Sequence, residues 1–570
     1  MKKLHILIFS FFNLFILSSC SDILNTDSDY IEFAEDNTLN HRTDSVYSVM
    51  GIISKLQVIA DRTVLLGAAR GDLLVTTNDA TADLKRLAAF DFPEGVANKY
   101  NRVSDYYAVI NNCNFYLAHV DTTMMRHGRN VFKPEYAVVK AYRAWTYLQL
   151  AKAYGRVPLV LDPIMSEKEA IDAMKMPKSG IVEICNYFIS DLTPHALEDL
   201  PDFGEIYAIP SRNMFLPIRV VLGDLCLWAG RYEEAARWYH DFLVDAPNNL
   251  KPRPLGNYNR VYWPSNNSEL VSPYGGYSAT TGSEVISFIP MEPRVFEGVV
   301  SDLPNVFNST SENRYFFQVE PSAGMRKISS DQIYCLENKN ATQTDTVYVQ
   351  RTGFLEENLV GDLRFYSNYY HRARVRDEYT DESAFTQRIN KVPANNRVIT
   401  YRLTMVYLHY IEALNRAGYP QTAFTALKYG LCDDYIKAHV DSVERSKAGS
   451  LIAFDKTYFD AEETIGLHEI GSGDTHIDTL YALPMPAAGE CSSRKDTIDY
   501  QIPLVENLIV TEMALEGAFE GSRYYDLMRV ALRRNDPSFL ADPISRRTGE
   551  FDAKLNTLLL NQANWYLPLR

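Results

Sequence analysis

The chain has 570 residues, 46% of them hydrophobic and 23% charged, with a formal net charge of −15. That balance is ordinary for a folded globular protein and ample for a large core. The negative charge excludes a nucleic-acid backbone as the natural partner.

Lys2 and Lys3 precede an apolar run from Leu4 to Leu17, followed by Ser18, Ser19 and Cys20. A charged start, a short apolar stretch and small residues before the cut make a secretory signal over residues 1–19. A spanning helix needs about 20 apolar residues, so this run is short for one. Leu17-Ser18-Ser19-Cys20 resembles a bacterial lipobox, in which the cysteine becomes the first mature residue and is lipidated, as by palmitate. A plain signal peptide with an incidental cysteine is the alternative. Cys113, Cys185, Cys226, Cys335, Cys432 and Cys491 form no CxxC pair and are irregularly spaced. This fits neither a disulfide framework nor a zinc site. Cys185 and Cys226 fall in apolar helical runs and read as buried small hydrophobes.

Residues 20–41 are polar and acidic and read as a tether. Helical patterns follow at 43–61 and 98–120, with a loop-rich stretch between them at 67–92. Residues 135–158 predict the central helix. Ala137, Ala141, Ala144, Leu148 and Ala151 share one face, and Val138, Tyr142 and Trp145 make a second, bulky one. Two apolar faces place the helix inside a helical layer. Pro134 suits its start, Gly155 its end, and Pro158 forbids continuation. Another helix is expected at 180–192.

Ile218, Val221, Leu222, Leu225 and Ala229 predict a helix that starts near Pro217 and ends at Gly230. Tyr232, Ala235, Ala236 and Tyr239 predict a second directly after it. Gly at the turn, an aromatic two on, Ala five on and Tyr nine on resembles a tetratricopeptide helix pair. The register recurs at Gly418, Tyr419, Ala423 and Leu427, which points to a solenoid-like scaffold. Residues 251–396, between the pairs, are rich in Tyr, Asn, Ser, Gly and Pro. Strand-like runs at 285–289 and 346–350 punctuate what reads as a loop-dominated insertion, where functional residues tend to sit. Residues 505–530 predict one long helix near the end of the chain.

These pieces together resemble the SusD/RagB family of outer-membrane nutrient-binding lipoproteins. The lipobox is followed by Ser21-Asp22-Ile23-Leu24. Residues 140–158 are similar to the family's Arg-Ala-aromatic helix closed by Tyr-Gly-x-x-Pro. Residues 402–418 (RLTMVYLHYIEALNRAG) and 515–529 (LEGAFEGSRYYDLMR) resemble its two characteristic C-terminal helices, and residues 565–569 its closing aromatic-Leu-Pro segment. Asp27 stands where the family often has proline, and Thr404 and Met405 replace its usual Ala and Glu. The resemblance implies a mainly α fold: a tetratricopeptide-like scaffold at 42–250 and 397–570 around a ligand-side insertion at 251–396 that carries short strands. It also implies a lipid anchor at Cys20, exposure at the cell surface, and a partner transporter of the SusC-like, TonB-dependent kind. The ligand would be an oligosaccharide or, in a peptide-binding member, a peptide, with no bond broken.

Glycan recognition needs aromatic faces for the apolar side of a sugar and polar groups for its hydroxyls. By position Phe90, Phe92, Phe296, Phe307, Tyr315 and Phe316 are the aromatic candidates, with Asn78, Asp79 and Arg314 as polar partners. Each one read alone is more often a packing residue. Glu516 and Glu520, four apart, suggest an acid/base pair, but residues so spaced on one helix point the same way. An ion-pair network with Arg523 and Arg529 is the better reading. His468, Glu469, Asp474 and His476 are metal-ligand types, yet they lack zincin spacing, so a polar turn is expected. No cofactor is expected; a structural calcium has no pattern to support it. A lipid-anchored glycan or peptide hydrolase and an envelope scaffold are the rival readings. The first lacks a catalytic constellation, and the aromatic insertion argues against the second.

Overall fold

The computed structural model describes residues 42–206, 209–244, 252–262, 284–291, 299–309, 317–337, 346–348, 361–373, 385–392 and 396–569. Ten helices build the frame: α1 (Arg42–Ala68), α2 (Val103–His119), α3 (Lys133–Tyr154), α4 (Ile181–Leu192), α5 (Ile218–Ala229), α6 (Tyr232–Val244), α7 (Leu403–Arg416), α8 (Pro420–Lys428), α9 (Arg494–Glu516) and α10 (Arg523–Arg534). Each packs on the next from α1 to α8. Helix α9 packs on α7, α10 on α9, and α10 returns to α1. The helices therefore form a closed circuit rather than an open solenoid.

Local chemistry explains the bounds. Pro134 sits in the first turn of α3, and Gly155 closes it at φ +75°. Nearly every α3 side chain from Ala137 to Tyr154 is buried, as two apolar faces require. Pro217 caps α5, and Gly230 ends it in the left-handed conformation at φ +78°. Within the pair, an added Cβ on Gly223 would lie 2.4 Å from the Tyr239 ring, so only glycine lets α6 approach this closely. Cys185 and Cys226 are fully buried.

The described residues of the insertion hold more regular structure than its composition suggests. Strand β1 (Leu74–Thr76) pairs with β3 (Val319–Pro321), and β2 (Val285–Pro290) pairs antiparallel with β4 (Arg397–Arg402). β4 runs straight into α7. Strand Thr346–Tyr348 pairs with Cys335–Glu337, so each strand-like run holds a strand, with residues 349–350 outside the described ones. The stretch 67–92 is not only loop: it holds β1 and the helix Ala82–Ala88, capped by Thr81.

Residues 505–530 are not one helix. The chain breaks between α9 and α10, where Phe519 and Gly521 take φ +70° and +86°. The break brings the Gly521 backbone against Gly67 of α1, where an added Cβ would meet Gly521 O at 1.7 Å. The expected charge partners change with it. Glu516 pairs with Arg402 at 2.7 Å and Arg364 at 3.2 Å, and Glu520 with Lys391 at 2.6 Å. Arg523 instead pairs with Asp72, and Arg529 with Glu412 and Asp526. Burial alone would raise the Glu516 carboxyl; Arg402, Lys391 and Arg364 hold it below its ordinary value. Both glutamates thus serve the frame.

Candidate functional site

A cleft of ≈ 600 Å³ opens beside the end of α3. That is within the range of ligand pockets. One wall is Phe90 and Phe92, from the segment after Ala82–Ala88. The floor is Tyr154, Gly155 and Arg156. The other wall is the chain's closing segment, with Asn564, Tyr566, Leu567 and Pro568.

Each wall is fixed from below. Phe90 takes φ +55°, reversing the chain at the end of its helix, and its ring packs 5.8 Å from that of Tyr524. Arg547 Nη2 donates to the Ala88 carbonyl at 2.6 Å and holds that helix end. The Asn98 amide and the Lys99 N–H bond Asp83 at 3.0 and 3.1 Å, which closes the loop carrying Phe92. The closing segment is held by buried polar contacts. Arg70 Nη1 and the Tyr524 hydroxyl donate to the Trp565 carbonyl at 2.9 and 2.7 Å, and Leu567 N–H donates to the Ala153 carbonyl at 2.8 Å. The Tyr566 ring lies so close over Gly155 that a Cβ there would stand 3.0 Å from it.

The cleft offers aromatic surface and a few polar groups, the composition that suits a sugar ring. Arg156 is exposed, donating to the Lys178 carbonyl at 2.6 Å with Glu183 3.8 Å away. The Tyr154 hydroxyl is buried without a hydrogen-bond partner, and burial pushes its pKa well up. It stays a neutral donor.

Of the expected ligand residues, the structure brings Phe90 and Phe92 together. Asn78 and Asp79 are exposed at the other end of Ala82–Ala88, about 10 Å away at helical rise. Their turn is held by Lys85 Nζ on the Asn78 carbonyl at 2.7 Å and by Thr77 Oγ1 on the Phe317 carbonyl at 2.7 Å. Phe307 is corrected: it is fully buried, edge-on to Phe519 at 6.5 Å, and has no surface to offer a ligand. Phe296, Arg314, Tyr315 and Phe316 lie outside the described residues, as does Cys20. Tyr566, Arg156 and Asn564 were not among the expected site residues. Their only sequence signal is membership of the two segments 140–158 and 565–569 singled out for other reasons.

The polar run at 468–476 is committed elsewhere. His468 bonds Glu512 at 2.9 Å, while Glu469 and Asp474 converge on Arg260 at 3.3 and 2.8 Å. No described helix is long and apolar enough to cross a membrane.

The helical frame with its strand-bearing insertion is similar in fold to solved SusD-like structures. A SusD-like carbohydrate binding protein of Bacteroides fragilis NCTC 9343 is 16% identical over 88% of each chain, with a TM-score of 0.53. A SusD superfamily protein of Bacteroides vulgatus ATCC 8482 is 15% identical over 90% of this chain and 95% of that one, at 0.51. A SusD-like carbohydrate binding protein of the same organism is 14% identical over 86% and 84%, also at 0.51. The chain has the SusD-like fold. No family model and no curated protein matches the sequence.

Proposed function

We propose that the chain is a cell-surface lipoprotein, anchored through Cys20, that binds a nutrient glycan and delivers it to a SusC-like TonB-dependent outer-membrane transporter without catalysis. The observation that carries the reading is the aromatic cleft of Phe90, Phe92 and Tyr566 beside Arg156. It is supported by a fold shared with proteins described as carbohydrate binding. Phe90 and Phe92 stack on the sugar, and Asn78 and Asp79 bond hydroxyls of a longer chain reaching past the short helix. Phe296, Arg314, Tyr315 and Phe316 are further proposed ligand contacts.

Affinity electrophoresis of mature protein against a panel of polysaccharides tests this. The expected result is retardation by one glycan with no release of reducing ends. Heat from peptides and none from any glycan would move the ligand to the peptide class. Release of fragments would replace binding with hydrolysis.

A further inference from the structure

A second cavity, of ≈ 180 Å³, lies inside the helical circuit. Helix α1 reaches it through Thr63 and Val64, α5 through Asp224, α7 through His409, and the α9–α10 connection through Ser522. Helix α3 contributes Trp145, Gln149 and Lys152, spaced to share one face.

The wall carries the cations Lys152, Lys391, Arg397 and Arg402 against the carboxylates Asp224 and Glu520. Glu520 is shared by Lys391 and Arg402. Asp224 accepts from the Tyr239 and Tyr401 hydroxyls at 2.5 and 2.7 Å and bonds His409 Nδ1 at 2.9 Å. Lys152 is left over. Its Nζ donates to the Gln149 side-chain oxygen at 3.0 Å and stands 4.4 Å from the Tyr525 ring centre. Neither group is an anion, and among the described residues no carboxylate is within ion-pair distance of it. Burial pushes this ammonium down to about 8; Asp224 and Asp526 oppose the shift and Arg529 adds to it. Lys152 is half-buried, and a partly desolvated cation with no carboxylate in contact favours an incoming anion.

Two further polar atoms at the same wall lack partners. His409 Nε2 and Ser522 Oγ are buried with no hydrogen bond. Trp145 supplies the apolar side.

We propose that this central cavity binds a small organic monoacid, with its carboxylate on Lys152 Nζ and its body against the Trp145 indole. A cavity of roughly 150 Å³ accepts a benzene ring, which sets the occupant at about the size of benzoate or one sugar acid. The site is separate from the surface cleft and does not depend on what the cleft binds. Because its wall joins α1 to the α9–α10 connection, an occupant ties the two ends of the circuit together.

The test is calorimetry and thermal melting of the mature protein with benzoate and galacturonate, each against its neutral counterpart, benzamide and galactose. The expected result is saturable binding of at least one acid with a rise of a few degrees in melting temperature, and none with its neutral counterpart. Lys152→Met weakens that binding tenfold or more, while Phe92→Ala in the surface cleft leaves it unchanged. Silence from both acids overturns the proposal, as does equal binding by Lys152→Met. Should Lys152→Met fail to fold, crystals of the wild type soaked in the acid decide. A carboxylate on Lys152 Nζ supports the proposal, and an empty cavity or a molecule elsewhere overturns it.

Discussion

Arg402 and Glu516 meet at 2.7 Å in the interior, each almost fully buried, joining the start of α7 to the end of α9. Arg402 Nη2 also donates to the Glu516 carbonyl at 2.7 Å, and Nη1 reaches Glu284 at 2.9 Å. One guanidinium thus satisfies the end of α9 and the bend that leads into β2 at once. Removing one partner of a buried pair strands the other charge, which costs about 3–5 kcal/mol. Arg402→Met is expected to lower unfolding stability by that amount in a denaturant titration. Because the two share the pair, Arg402→Met with Glu516→Gln should cost less than the two single losses added together.

Gly67 and Gly521 are in backbone contact, with no room for a Cβ on Gly67. Gly67→Ala must push α1 away from the α9–α10 connection. Overpacking of this kind costs about 1–3 kcal/mol or more. Its melting temperature should fall well below that of Gly51→Ala, where an added Cβ meets nothing within 4 Å.

Glu469 gives a pH dependence with a defined sign. Burial raises its carboxyl from 4.5 to about 7, and Arg260 only partly offsets this. Below pH 4.5 folded and unfolded forms are both protonated, and the group contributes nothing. Between 4.5 and 7 the unfolded form releases its proton first, so stability falls as pH rises, and the penalty is complete above 7. Glu469→Gln should therefore be the more stable protein at pH 8, by up to about 3 kcal/mol. The difference should close below pH 4.5. Urea midpoints across that window check it.

Phe92→Ala and Tyr566→Ala are expected to weaken glycan binding roughly tenfold each, since aromatic contacts are worth about 0.5–1.5 kcal/mol beyond the area they bury. Unfolding midpoints should barely move for Phe92→Ala. Phe307→Ala should do the reverse, losing about 3–5 kcal/mol of stability as a core truncation while binding persists.

Cys20→Ala should leave the fold intact and release the protein from the outer membrane. Fractionation of cells lacking the transporter checks this, and continued membrane association there would contradict the lipid anchor.

Local signals carried the frame well. Pro134 and Gly155 bound α3 in sequence as in structure, and Gly230 closes α5 as a glycine in that register should. The long-range features were not legible. Residues 505–530 keep helical apolar spacing through a break that exists because Gly521 must touch Gly67, more than four hundred residues away. Glu516 and Glu520 looked destined for Arg523 and Arg529, their sequence neighbours, yet Arg402, Arg364 and Lys391 take them from other elements. Phe307 carries the same composition signal as Phe92, and only packing separates a core ring from a cleft wall. The cleft itself is half built from the last few residues of the chain, whose docking on α3 no local pattern announces.

The proposed role rests on a glycan seated in the cleft beside α3. The most direct measurement is calorimetry of wild type, Phe92→Ala and Tyr566→Ala side by side, with the oligosaccharide of whichever polysaccharide retards the wild type. Saturable binding by the wild type and roughly tenfold weaker binding by both variants are expected. Undiminished binding by both would place the ligand elsewhere on the molecule and contradict it.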